Sequence, residues 1–491
     1  MIPLTLAEVA AAVGGTLHGT DGTPTVTGPV EFDSRRLGPG GLFVALPGAR
    51  VDGHHFAAAA VAAGAVGVLA ARPVDAPTVV VPPATAAGTT LNCYALAADT
   101  TGAGAAVLAA LARLARTVVD TLSPGPAGLH VVGITGSSGK TSTKDMVAAL
   151  LAPLGPTVAP PGSFNNEVGH PWTALRADQR TRHLVLELSA RGPGHVAALC
   201  AVAPPSIGVV LNVGSAHLGE FGSPEAVATA KGELVEALPP GGVAVLNADD
   251  PAVSAMSART AARVVRFGIA EGSDVQPIDV HGADIVLDAG GCAGFRLCSP
   301  AGEAPVRLAV PGAHQVGNAL GAAAVALELG ATPGGVADVL AGYRPASRWR
   351  MEVAERPDGV TVVNDAYNAN PESVRAALQT LVAMAGGARR SWAVLGPVSE
   401  LGAAETAAHE EIGRLAVHLD VDRLVVVGEQ ARAMHRAAGK EAVLVPDVSA
   451  ALTLLHAELR SGDVVLVKAS RAHRLERVAD GLLVAGNGGG A

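Results

Sequence analysis

The sequence predicts an α/β protein of three domains, and three observations predict it. Short apolar runs alternate with helical patterns from about residue 128 to 340, as in a parallel sheet covered on both faces. The same alternation starts afresh near residue 345, which implies a second, Rossmann-like doubly wound sheet. A length of 491 residues matches about three domains.

Hydrophobic residues make up 49% of the chain and charged residues 16%, so sizeable cores can form. Aromatics are only 3%, which leaves most of the packing to Ala, Val and Leu. The net charge of −9 comes with no long basic run. That argues against a nucleic-acid surface or an anionic-membrane surface. Cys93, Cys200, Cys292 and Cys298 show neither CxxC nor zinc-ligand spacing and read as reduced thiols. The N-terminus lacks the basic and apolar regions of a signal peptide, and no Ala-rich stretch makes a membrane span. The expectation is a soluble cytoplasmic protein.

Residues 1–83 form the first expected domain. Leu42 to Leu46 and Val66 to Leu69 read as strands, and Phe56 to Ala63 as a helix. Pro82-Pro83 opens a Thr/Gly/Ala-rich stretch to about Gly104, and residues 84–110 read as a linker or mobile insertion. A helix from about Ala105 to Leu122 runs into the break Pro124-Gly125-Pro126.

The second expected domain covers residues 111–344. Its strands are Leu129 to Gly133, His183 to Leu188, Ile207 to Asn212 and Val243 to Asn247, and Ser142 to Leu151 is a helix. Residues 268–311 are Gly- and Asp-rich and read as a short-stranded antiparallel excursion. A helix from about Val316 to Leu329 stops at Gly330, as a C-cap would. The third domain, residues 345–491, has strands at Val360 to Val363, Ser391 to Leu395, Leu424 to Val427 and Val464 to Val467. Helices such as Asp447 to Leu459 lie between them. No repeat of solenoid period is visible.

The most informative stretch is Gly133-Ile134-Thr135-Gly136-Ser137-Ser138-Gly139-Lys140-Thr141. Strand, Gly-rich turn and helix start make a phosphate cradle. Backbone N–H groups and the helix dipole face the anion, Lys140 adds charge, and the Thr141 hydroxyl can hold Mg²⁺. The fit to the general P-loop pattern is imperfect, because Ile134 stands where the pattern wants Gly. Glu187 closes a buried apolar run, at the end of a strand where α/β sheets bind ligands. Beside a phosphate cradle it is a candidate Mg²⁺ holder, directly or through water. His217 and Lys231 say little alone, since a single His is more often structural and a Lys on a helix is usually solvated. Asn364-Asp365-Ala366-Tyr367-Asn368-Ala369-Asn370-Pro371 clusters donors and acceptors after a buried strand. That suits ribose or peptide recognition, or simply a polar turn before the helix that Pro371 opens.

With these residues in view, the chain resembles the Mur ligases over nearly its whole length. The misplaced glycine pattern resembles that family's variant of the P-loop. Asp33-Ser34-Arg35, the run Leu42 to Gly48 and Asp52-Gly53-His54 resemble a UDP-sugar-binding N-terminal domain, and Asn165-Asn166-Glu167-Val168-Gly169 is similar to a family NN-x-x-G stretch. Tyr367-Asn368-Ala369-Asn370-Pro371 points to the branch that adds D-alanyl-D-alanine to UDP-N-acetylmuramoyl-tripeptide. The ligases adding the third residue carry a YAHTP-like segment there, and their DNPR signature is absent here.

The resemblance implies a central P-loop ATPase domain and an ATP-dependent amide ligation through an acyl phosphate, for peptidoglycan synthesis. It assigns Gly136, Ser138, Gly139 and Lys140 to the phosphates of ATP. Thr141 and Glu187 would hold one Mg²⁺, and His217 a second. Lys231 would be a carbamylated lysine assisting that metal. Asn318 would lie on the adenine side, and Asp365 and Arg350 would reach ribose and phosphate. Ser34 and Arg35 are candidates for uridine, Asn166 and Arg191 for the sugar-peptide, and Tyr367 and Asn368 for substrate. The family is mostly monomeric.

Pro397 replaces a usual acidic residue, Ala469 and Ser189 replace usual glycines, and Gln315 stands where Asn is common. The first two keep open a paralogue that joins a different carboxylate and amine. A nucleotide-binding scaffold without ligase activity is the remaining alternative, and the intact set of Lys140, Thr141, Glu187, His217 and Lys231 argues against it.

Overall fold

The structure is a computed structural model, and it describes residues 1–48, 51–83, 99–125, 128–215, 218–269 and 277–485. His217, Cys93 and the core of the expected linker lie outside the described residues. The fold is α/β, with three main sheets in chain order.

The N-terminal sheet has the order Thr16–His18, Thr78–Val80, Ala65–Ala70, Gly41–Val44, Val30–Glu31, parallel except for its first pair. In front of it stands the helix Leu6–Val13, which the sequence reading did not identify. A capping box between Thr5 and Glu8 starts this helix, and Gly14 at φ 64° ends it. The expected helix Phe56 to Ala63 begins as a 3₁₀ turn, Gly53–Phe56, and becomes α-helical only over Ala57–Ala62.

The central sheet has nine strands. Val280–Leu287, Arg263–Ile269, Val243–Asn247, Ile207–Val210, His130–Thr135, His183–Glu187 and Thr157–Val158 run parallel. Cys292–Ser299 and Gly302–Pro311 then extend the sheet antiparallel beyond Val280–Leu287. The antiparallel reading of this region holds, but the strands are long, at eight, eight and ten residues. The glycines and aspartates that read as breaks are its turn chemistry. Asp288 accepts from the N–H groups of Gly290 and Cys292 at 2.9 and 3.0 Å, and Gly291 sits at φ 75°.

The helix Ala103–Leu122 starts two residues earlier than expected and contains position 110. Its Val107, Leu111, Leu114 and Val118 pack into one apolar core with Leu6, Val9 and Val13 on one side and Leu184, Val210 and Leu234 on the other. The first sheet and the central sheet are therefore cemented by shared burial. Leu114, fully buried, contributes about 1.5–3 kcal/mol to that cement.

The C-terminal sheet has the order Glu352–Glu355, Thr361–Asn364, Val464–Lys468, Ser391–Leu395, Arg423–Val427, Ala442–Val445, parallel after its first pair. Separate apolar cores cover its two faces. It is joined to the rest by the segment from Ser347 to Met351. In that segment Trp349 at φ 60° and Met351 at φ 51° are non-glycine residues in the left-handed region.

Candidate active site

The strand ends His130–Thr135, His183–Glu187 and Ile207–Val210 point their carboxyl termini at the C-terminal domain, and a cleft of about 590 Å³ lies between. This is the crevice where open α/β sheets bind ligands.

The central wall is built on the loop entering the helix Lys140–Leu151. Gly139 has φ 81°, and a Cβ there would collide with Asn318 Oδ1, so only glycine fits. The Ser137 and Ser138 N–H groups each donate to Asn212 Oδ1 at 2.9 Å. Lys140 Nζ donates to the Gly136 carbonyl at 2.6 Å. Poor solvation in the cleft pushes the Lys140 ammonium below its usual value, with Glu187 opposing and Arg350 adding to the shift. Thr141 Oγ1 donates to Glu187 Oε2 at 2.9 Å, while Asn165 Nδ2 donates to Glu187 Oε1 at 2.7 Å. Ser163 Oγ lies 2.7 Å from Thr141 Oγ1. Asn318 is buried and donates to Gln315 Oε1 at 2.9 Å.

Behind this wall Lys144 and Asp145 form a buried ion pair. Lys144 Nζ donates to the Pro160 carbonyl at 2.7 Å, and Asp145 Oδ2 accepts from Ser347 N at 3.0 Å. The linker between domains is thus pinned to the cradle helix at its first residue.

The opposite wall comes from the C-terminal domain. Arg350 crosses the cleft. Its Nη2 donates to Thr141 Oγ1 and Ser163 Oγ, each at 3.0 Å, and its guanidinium lies 4.1 Å from the Tyr367 ring centroid. Asp365 accepts from Met351 N at 3.1 Å and from Lys468 Nζ at 2.5 Å. Lys468 also donates to the Asn368 carbonyl at 3.0 Å. Burial pushes the Lys468 ammonium down, while Asp365 pushes it back up. Asn370 Nδ2 donates to the Ser137 carbonyl at 3.2 Å, and Glu372 accepts from Ser215 N at 2.8 Å. Arg191 pairs with Glu400 across the cleft at 3.6 Å.

Of the residues singled out from sequence, Ser138, Gly139, Lys140, Thr141, Asn166, Glu187, Arg191, Asn318, Arg350, Asp365, Tyr367 and Asn368 all line this cleft. Gly136 stands just behind, supplying the carbonyl for Lys140. Lys231 does not line the cleft. It is buried within the helix Pro224–Glu236, and burial, aided by the Lys140 cation, lowers its pKa to about 7. Ser34 and Arg35 sit apart, on an N-terminal 3₁₀ turn capped by Asp33, with Arg35 exposed and paired to Asp33 at 2.7 Å.

Among the cleft groups that escaped the sequence reading as site residues are Ser163, Asn165, Asn212 and Lys468. Lys468 had a usable signal, because it ends the buried strand Val464–Lys468 as Glu187 ends its own. Ser163 had none. Neither Pro397 nor Ala469 lines the cleft. Ala469 is fully buried, and a Cβ on Gly396 would come within 2.8 Å of its methyl.

Known proteins bear on this geometry. The Mur ligase family catalytic domain matches residues 29–117, the Mur ligase middle domain 134–326, and the Mur ligase glutamate ligase domain 349–471. The chain is 56% identical over 511 residues to a UDP-N-acetylmuramoyl-tripeptide–D-alanyl-D-alanine ligase of Mycobacterium tuberculosis, covering 98% of each. It is 35% identical to the ligase of that name from Escherichia coli, covering 98% of this chain and 99% of the other. A crystal structure of MurF from Acinetobacter baumannii superposes with a TM-score of 0.82 at 29% identity, covering 98% and 99%. One of the Thermotoga maritima ligase MurF in complex with ADP gives 0.77 at 30% identity, covering 94% and 98%.

Proposed function

The chain belongs to the Mur ligase family, and we propose from that premise that it joins D-alanyl-D-alanine to UDP-N-acetylmuramoyl-tripeptide at the expense of ATP. The product is UDP-N-acetylmuramoyl-pentapeptide, for peptidoglycan synthesis. One observation carries the reading: the segment Tyr367 to Asn370 faces the phosphate cradle across one cleft and is tied to it by the bond from Asn370 to Ser137.

The chemistry follows from the two walls. A carboxylate resists attack by amines, and phosphorylation gives it a leaving group. Phosphoryl transfer needs positioning and charge neutralisation more than covalent help from the protein. Lys140 exchanges the Gly136 carbonyl for phosphate oxygens, and the loop amides of Gly136, Ser138 and Gly139 face the same anion. Arg350 adds a second cation from the other domain, stiffened by its stack on Tyr367. Asn318 serves the adenine side, and Asp365, fixed by Lys468, the ribose.

Thr141 and Glu187 present hard oxygen donors within hydrogen-bond distance of each other, with the Asn165 amide N–H holding the carboxylate in place, which suits Mg²⁺. When bound, Mg²⁺ neutralises charge on the transferring phosphoryl group. His217 is proposed to hold a second ion. Lys231, whose amine is about half neutral near pH 7, is suited to carbamylation by CO₂, which would turn it into an anion able to support that ion. Asn166 and Arg191 are proposed for the sugar-peptide, Ser34 and Arg35 for uridine. A monomer is proposed, as the family resemblance implies. Among the described residues no helix is long and apolar enough to cross a membrane, and we place the reaction in the cytoplasm with its nucleotide substrates. The off-cleft positions of Pro397 and Ala469 weigh against a paralogue with a different acceptor.

The test is ADP release by the purified protein. Release should require both UDP-muramoyl tripeptide and D-alanyl-D-alanine. Release with D-glutamate or a diamino acid in place of the dipeptide would overturn the assignment.

A further inference from the structure

The dipeptide enters as an ammonium, whose pKa is about 8, yet only the free amine can attack an acyl phosphate. Most of it is therefore protonated at pH 7, and a group in the cleft that takes that proton would speed the attack. The obvious carboxylates on the C-terminal wall are engaged: Asp365 by Lys468, Glu372 by Ser215, Glu400 by Arg191.

A serine and a histidine are placed for the task. Ser399 lines the cleft, and its Oγ lies 3.2 Å from His473 Nε2. Its position is set from both sides. Ser399 N donates to Ser470 Oγ at 2.9 Å, and the Ser470 carbonyl accepts from His473 N at 3.0 Å. The 3₁₀ turn Arg471–His473 thus holds the imidazole behind the hydroxyl. His473 is half-buried, and the charged or titratable neighbours that act on it are Glu405 and His409. His409 Nε2 is itself occupied, accepting from Val398 N at 2.9 Å.

We infer that Ser399 and His473 form the proton relay that deprotonates the incoming amine. This rests on the ligase reading above. The ammonium donates to Ser399 Oγ while the Ser399 hydroxyl proton passes to His473 Nε2. The products are a neutral amine and an imidazolium. The amine lone pair then forms the C–N bond at the acyl carbon. The C–O bond to phosphate breaks with its electron pair on phosphate, which also takes the remaining excess proton of the new amide. Burial pushes the His473 imidazole below its usual value, with Glu405 opposing, so the base is neutral at pH 7. Glu405 also stands where it can stabilise the imidazolium once formed.

The experiment compares wild type, His473→Gln and Ser399→Ala in the full chain with ATP and UDP-muramoyl tripeptide. The nucleophile is either D-alanyl-D-alanine or hydroxylamine, an amine already neutral near pH 7. Both variants should lose about a hundredfold in kcat with the dipeptide at neutral pH. They should recover as pH rises, and should react with hydroxylamine at the wild-type rate. Equal losses with both nucleophiles would show a merely structural role and overturn the relay, as would an unchanged pH profile with the dipeptide. A wild-type protein that reacts with hydroxylamine but not with the dipeptide would instead overturn the ligase reading.

Discussion

The two walls of the cleft are built on different principles. On the central wall the polar groups satisfy one another locally and loosely. Lys140 leans on the Gly136 carbonyl and Ser137 on Asn212, bonds that a phosphate can take over. On the C-terminal wall the charges are paired and sealed. Lys468 and Asp365 are both buried and hold each other at 2.5 Å. The first wall is made to exchange partners with a ligand, and the second to keep its shape while presenting an acceptor. Arg350 reaches from the second wall to the first, and it sits between two strained linker positions, Trp349 and Met351.

The largest test of this contrast is Lys140→Ala. Turnover should fall about a thousandfold, as when a transition-state charge partner is removed, with the unfolding midpoint unmoved. A large drop in stability would mean that the central wall is as structural as its opposite. Lys468→Met should do the reverse. It strands the Asp365 carboxylate and should cost about 3–5 kcal/mol in denaturant unfolding, much of it regained in the double variant with Asp365→Asn. A variant that unfolds like wild type would refute the sealed wall.

Gly139→Ala is predicted to cost about 1–3 kcal/mol, because alanine must adopt φ 81° and its Cβ meets Asn318. Calorimetry with and without nucleotide would separate strain from lost binding. Lys231 gives a smaller, pH-dependent effect. Its folded pKa of about 7 lies below its ordinary value of 10.5, so the unfolded chain binds more protons across that window and stability rises with pH there. In CO₂-free buffer Lys231→Met should flatten that slope between pH 7 and 10, as read from thermal unfolding. With labelled bicarbonate, NMR of the wild type should show a carbamate signal that the variant lacks. The smallest effect belongs to Arg35→Ala, away from both walls. It should raise KM for the UDP-substrate and leave unfolding unchanged.

The contrast also explains what the sequence made legible. The central wall is written in consecutive residues, Gly136 to Thr141, because a phosphate cradle is one strand, one turn and one helix start. Glu187 was readable as a charge ending an apolar run. The C-terminal wall was readable only where residues cluster, from Asn364 to Pro371. The partnership of Lys468 with Asp365 spans a hundred residues and leaves no local pattern. The strands Cys292–Ser299 and Gly302–Pro311 were underrated for a related reason. Their turns announced themselves through Asp288 and Gly291, while their length depends on pairing with distant strands. Ser399 and His473 look like ordinary loop residues until the fold brings their turns together. Lys231 is marked only by the family resemblance, and nothing in its own neighbourhood reveals that it is buried.

The central claim is that both walls act on one carboxylate, activated on one side and attacked from the other. Its most direct test is to supply UDP-muramoyl tripeptide carrying a heavy-oxygen label in the terminal carboxylate. With ATP and D-alanyl-D-alanine, mass spectrometry should find one labelled oxygen in inorganic phosphate and the other in the new amide of the pentapeptide. Label in AMP, or label retained wholly in the peptide, would contradict the account.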